Sequence, residues 1–156
     1  MEECRINIRL LERGGRRAQA PVYQTAGAAA ADIYAFLEAD AVIPPGGIRM
    51  IPTGLCAALP EGTAALVLAR SGLAMKRGRC LANGVGLIDS DFRGEIMVGL
   101  LNTSADAYTV RDGDRIAQIM PVRAARAVFA RCETLDDTAR GEGGFGSTGY
   151  GKEAGV

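Results

Sequence analysis

Two turn signatures, Pro44-Pro-Gly-Gly47 and Leu59-Pro-Glu-Gly62, close off the segment Ile48–Ala58 at both ends. That bracketing limits the fold more than any other feature of the chain. Proline cannot donate to a β ladder and glycine reaches the backbone angles of tight turns, so each signature ends one extended run and starts another. The same punctuation recurs along the sequence. Ile6, Ile8 and Leu10 alternate with polar neighbours and read as a first strand, followed by a turn at Gly14-Gly15. Thr63–Ala69, Gly94–Asn102, Arg115–Val122 and Arg126–Cys132 read as further strands, with Asp112-Gly-Asp114 turning between two of them. Short strands at this spacing predict an all-β sandwich or barrel rather than alternating β and α units. The one helix expected covers Ser71–Arg77. Ala26–Ala31 has helix propensity, yet Gly27 and the following Ile33 make a loop entering a strand equally reasonable.

Composition removes several function classes. A chain of 156 residues fits one domain whose core needs no disulfide staples. Eighteen basic and eighteen acidic residues cancel, so no global field favours nucleic acid or a membrane surface. The absence of histidine excludes Ser-His-Asp and Cys-His machinery and every histidine-ligated metal. Cys4, Cys56, Cys80 and Cys132 stand singly, without metal or redox spacing, as expected of free thiols in a reducing cytoplasm. Neither a signal peptide nor a membrane-length apolar run is legible. Arg13–Arg17, three arginines around a Gly-Gly turn, reads as a solvated hairpin tip.

Five segments carry chemistry. Arg70-Ser-Gly-Leu-Ala74 joins a strand end to the helix start, where a guanidinium, a hydroxyl and a close-approaching glycine N–H suit an anion; an ordinary serine cap with a surface arginine is the alternative. In Asn83–Ile96, Asp89 and Asp91 lie two apart in what reads as an extended stretch, which would put them on opposite sides. Asp89 follows Leu87-Ile88, and a carboxylate against an apolar wall suits a general base acting on water; a β-hairpin whose aspartates cap turns is the plain alternative. Gln118, polar within the apolar end of Gly113-Asp-Arg-Ile-Ala-Gln118, needs a partner if buried, either a ligand phosphate or backbone. Asp32, among apolar residues in Ala31-Asp-Ile-Tyr-Ala35, reads as an ion-pair partner for an arginine.

The fifth segment is the tail. Half of the twelve residues from Arg140 to Gly151 are glycine, and Arg140, Phe145, Ser147 and Thr148 stand among them. Unblocked N–H groups, hydroxyls, a guanidinium and one ring would let such an arm close over a phosphorylated, ring-bearing ligand; a tail without a role is the other reading. It is not a Walker P-loop, since Gly-Lys-Ser/Thr is absent, and it opens no βαβ unit.

In order, spacing and identity these five segments resemble the five motifs of the homotrimeric deoxyuridine triphosphatases, the dUTPases. The resemblance runs over nearly the whole chain. It implies a β jelly-roll domain over 1–138 with a mobile arm over 139–156, and a homotrimer with active sites shared between subunits. The implied reaction is hydrolysis of dUTP to dUMP and pyrophosphate in the cytoplasm, with Mg²⁺ on the triphosphate and no role for nucleic acid or membrane. Asp89 matches the residue that activates water against the α-phosphorus. Arg70, Ser71, Gly72 and Gln118 match phosphate contacts. Asn83, Leu87, Ile88 and Met97 lie where the family reads uracil, and Phe92 where it packs a ring under the deoxyribose. Arg140 matches a phosphate contact, Phe145 the ring stacked on uracil, and Ser147 and Thr148 the γ-phosphate contacts. Phe92 departs from the usual tyrosine, and Ala30 from a frequent glycine. A dCTP deaminase of the same fold, or a non-catalytic nucleotide sensor, would be the rivals.

Overall fold

The computed structural model describes residues 3–144. By its contacts the chain divides into one unit over 1–126 and a second over 127–156. In the first unit the bracketed segment is a single strand, β6 (Ile48–Ala58), between the two expected turns. Around it run β1 (Asn7–Leu10), β2 (Glu12–Arg13), β3 (Arg16–Arg17), β4 (Ala31–Tyr34) and β5 (Ala41–Ile43). After it come β7 (Thr63–Leu68), helix α1 (Ser71–Arg77), β8 (Arg79–Leu81), β9 (Gly86–Ile88), β10 (Glu95–Asn102), β11 (Tyr108–Val110) and β12 (Arg115–Arg123). Among the described residues the all-β jelly-roll class with one short helix holds, and the loop reading of Ala26–Ala31 wins, since β4 begins only at Ala31.

Two four-stranded antiparallel sheets carry the fold, in orders β1-β6-β10-β8 and β4-β12-β7-β9; β11-β5 and β2-β3 form two small ribbons. Every second residue along β10 is buried, which is the period a strand shows when one face meets a core. Ile51, Leu55, Ile96, Val98 and Leu100 from the first sheet join Ile33, Val67, Ile116 and Ile119 from the second in one apolar cluster. Each such side chain contributes about 1.5–3 kcal/mol by leaving water. α1 buries no residue and ends at Gly78, whose φ of 63° lets its N–H cap the last turn.

One alternative and one expectation fail. The segment Asn83–Ile96 is not a hairpin: β9 pairs with β7, whereas β10 pairs with β6 and β8. The connection crosses from one sheet to the other, because the apolar residues of β9 and β10 are needed on opposite sides of the core. Arg126–Cys132 forms no strand. Pleated backbone persists only beside a hydrogen-bonding edge. None of the described strands pairs with this segment, and Val128 and Phe129 are 93% and 95% exposed.

Candidate active site

The crossing between sheets makes a cavity of about 350 Å³ at their shared end, toward the small end of ligand-sized pockets. β8, the turn after it and β9 supply Asn83, Leu87 and Ile88; the next turn supplies Asp89 and Phe92; β10 supplies Met97. All six were expected from the sequence, and the structure brings them together. Asp89 and Asp91 are both exposed and lie in a turn closed by the Phe92 N–H donating to the Asp89 carbonyl at 3.2 Å, so the extended geometry that set them on opposite sides is not present. A short chain reversal is the way the backbone changes sheets. Arg93 Nη1 braces it, donating to the Ser90 carbonyl at 2.6 Å and the Phe92 carbonyl at 2.9 Å. The Phe92 ring lies against Gly94, where a Cβ would stand 2.6 Å from Cζ.

Strand register builds a second constellation. Gln118 on β12 lies directly opposite Asp32 on β4 and Leu68 on β7, and Arg70 follows β7 by two residues. The Asp32 side chain, 1% exposed, therefore gathers three donors: Arg70 Nε at 3.0 Å and Gln118 Nε2 at 3.1 Å on Oδ1, and Arg115 Nη1 at 3.3 Å on Oδ2. Arg70 Nη1 also donates to the Arg115 carbonyl at 3.3 Å. Asp32 is the ion-pair partner the sequence suggested. Within the chain, the partner of the Gln118 amide is this carboxylate. Burial of an anion is tolerated when charge and hydrogen bonds meet it on several sides, as here.

Ser71 and Gly72 open α1 and are exposed. Arg70, not Ser71, is the cap residue, in extended backbone and with no side-chain cap hydrogen bond, so the serine-cap alternative does not hold. Beside Arg70 a shallow hollow of about 320 Å³ collects Arg77, Arg111 and Arg115 together with Asp114 and Tyr108. Burial first, and then the Asp114 carboxylate, push the Tyr108 hydroxyl pKa above its usual value. The Arg79 guanidinium, 4.6 Å over the ring, acts the other way. Arg77, Arg111 and Arg115 went unremarked in the sequence; Arg115 was findable, since it stands inside the segment singled out for Gln118.

In the second unit, Arg140 folds onto its own turn: Nε donates to the Gly143 carbonyl at 2.8 Å, and the Gly141 N–H donates to the Thr138 carbonyl at 3.0 Å. Phe145, Ser147 and Thr148 lie outside the described residues.

The family model for dUTPase matches residues 16–149. The chain belongs to the dUTPase family. Among its relatives is the deoxyuridine 5'-triphosphate nucleotidohydrolase of Desulfitobacterium hafniense, 50% identical over 150 residues, or 96% of this chain and 99% of that protein. The protein of the same name from Dictyoglomus turgidum is 46% identical, over 90% of this chain and 97% of its own length. A solved dUTPase of Staphylococcus bacteriophage 80alpha with dUpNHpp is 22% identical, covers 94% of this chain and 99% of its own, and superposes with a TM-score of 0.83, a likeness of fold. Within this dUTPase-family chain, the Asp89 cavity and the Asp32 cluster are each formed by residues of a single chain.

Proposed function

We propose that the chain hydrolyses dUTP to dUMP and pyrophosphate, water attacking the α-phosphorus under general-base action by Asp89. Such a reaction would clear dUTP from the nucleotide pool and supply dUMP for thymidylate synthesis. The observation that carries it is the single cavity in which Asp89 stands beside Asn83, Leu87, Ile88, Phe92 and Met97. β9 is the last strand of its sheet, so one edge of its backbone has no strand partner and can offer N–H and C=O groups to the edge of a base. Pairing that fits uracil leaves a buried group unsatisfied with cytosine, a penalty of roughly 1–3 kcal/mol for each such group.

Phosphoryl transfer asks mainly for positioning and charge neutralisation. Arg70, with Ser71 and Gly72 exposed at the α1 start, and Gln118 would hold the phosphates, and Arg140 would reach them from the tail. Asp32 would aim Arg70 and Gln118 at the phosphates through the bonds it accepts from Arg70 Nε and Gln118 Nε2. Among the described residues no three acidic or cysteine side chains cluster as a metal cage. That donor set fits Mg²⁺ carried by the triphosphate and water rather than by the protein, the ion supplying charge neutralisation at the phosphates. The cavity and the Asp32 cluster share no side chain, and each would be completed by the other's counterpart across the subunits of a homotrimer. A cytoplasmic setting fits the four unbridged cysteines; among the described residues no helix is long and apolar enough to cross a membrane.

Pyrophosphate release measured side by side for dUTP, dCTP, dTTP and UTP tests the reading. Turnover confined to dUTP supports it, whereas ammonia release from dCTP would establish the deaminase instead. A chain ending at Thr138, lacking Arg140 and the ring of Phe145, is expected to assemble normally and lose most turnover, because the arm would order only over bound triphosphate. Undiminished activity of that shortened chain would remove the arm from the mechanism. Gly94→Ala addresses sugar selection. The new methyl pushes the Phe92 ring aside, so the preference for dUTP over UTP should fall by about 10-fold, while the unfolding midpoint hardly moves because a ring edge can swing away.

A further inference from the structure

The Arg13–Arg17 hairpin takes no part in the reaction above; its tip is exposed, as its sequence suggested, but two of its arginines are anchored at their heads. Arg13 is ion-paired with Glu95, its Nη1 donates to the Phe36 carbonyl at 3.4 Å, and its guanidinium lies 5.3 Å over the Phe36 ring. Arg16 lies 5.8 Å over the same ring, is ion-paired with Asp112, and donates through Nη2 to the Leu37 carbonyl at 2.7 Å. Stacked, charge-paired guanidiniums of this kind hold a hairpin in one orientation.

Glu95 is where the hairpin meets the cavity. Its Oε1 accepts the Gly54 N–H at 2.7 Å. Gly54 sits in a bulge: between the pairs Glu95↔Cys56 and Met97↔Pro52, β10 advances two residues while β6 advances four. A bulge strands backbone groups that must be satisfied elsewhere. Glu95 satisfies one, and Thr53 Oγ1, donating to the Ile96 carbonyl at 2.6 Å, satisfies another. With φ at 65°, and with a Cβ due to stand 2.6 Å from Phe36 Cδ1, position 54 admits glycine alone without rearrangement. Glu95, Ile96 and Met97 are consecutive, and all three line the cavity.

We propose that Glu95 is a positioning residue for the base-binding cavity, held and neutralised by Arg13. The bulge it closes fixes the β10 wall and the reach of Met97. The arginine cancels a carboxylate, 18% exposed, that would otherwise repel a polyanionic substrate at the mouth of the cavity. The inference rests on dUTP being the substrate. Parental turnover of dUTP tests that substrate reading separately, so the two can fail independently.

The test compares Arg13→Ala, Glu95→Gln, their double variant and Glu95→Ala by steady-state kinetics on dUTP and dCTP. Glutamine keeps the acceptor for Gly54 but not the charge. Arg13→Ala should raise KM for dUTP about 10-fold with kcat nearly unchanged. Adding Glu95→Gln should restore KM to within about threefold of the parent, because the uncancelled charge is gone. Glu95→Ala, which removes the acceptor for Gly54 as well as the charge, should raise KM for dUTP about 10-fold, where Glu95→Gln shifts it by no more than about threefold. An Arg13→Ala chain with parental KM would overturn the proposal. So would a KM defect that follows only the unfolding midpoint and is not relieved in the double variant.

Discussion

Asp89→Asn is expected to bind dUTP with near-parental affinity and to turn it over about 10²–10⁴-fold more slowly, the usual span of a general base. The substitution keeps the shape of the side chain, so the turn carrying it and the cavity beside it should persist. What it removes is the ability to accept a proton from water at the moment the α-phosphorus is attacked. Loss in kcat with KM preserved is the signature of an interaction made only in the transition state. Binding by calorimetry and pyrophosphate release on the same preparation separate the two quantities. Hydrolysis at the parental rate would take the base away from Asp89.

Asp32→Ala should cost stability as well as function. It leaves Arg70 and Arg115 without their shared anion in a place where Asp32 itself is nearly inaccessible. Removing one member of a buried charge network typically costs about 3–5 kcal/mol. Here the guanidinium sides remain 26% and 45% exposed and can recruit water, which favours the low end, about 3 kcal/mol. For a domain of this size that lowers the unfolding midpoint by roughly 10 °C. Asp32→Asn keeps one acceptor and should lose less stability. Both variants should bind triphosphate more weakly, since Arg70 and Gln118 lose the group that aims them. An Asp32→Ala chain with the parental midpoint and parental KM would show that the cluster has no bearing on either.

Much of this was legible in the sequence, for reasons that differ by element. β6 was readable because proline and glycine enforce its ends regardless of tertiary context, and α1 because its termini coincide with Arg70 and Gly78. The cavity residues were readable through family resemblance rather than through pattern. Nothing in the alternation of residues 83–97 reveals that β9 and β10 part company into different sheets, since pairing partners are decided by distant β7 and β6. Arg126–Cys132 misled because apolar character alone cannot show whether a strand edge is there to pair with it; Phe129 stands almost wholly in solvent. Arg13 and Glu95, 82 residues apart, meet only after the sheets have formed. Local composition could see a charged turn there, and no more.

The crossing of the chain between sheets sets the tolerance of the site. One wall of the cavity hangs from β9 and the other from β10, so its aperture is a fixed gauge: the distance between two packed layers, about 10 Å in sandwiches of this kind. Val67, Ile96 and Val98 belong to that layer contact and to the cavity lining alike. A pocket built from loops can dilate locally. Here the turns carrying Asn83, Asp89 and Phe92 can adjust, but the strand walls cannot part unless the interior between them thickens, and interiors at crystal-like density resist that. Discrimination and folding therefore draw on the same contacts, and a change that relaxes the choice of base at this wall must also loosen the molecule.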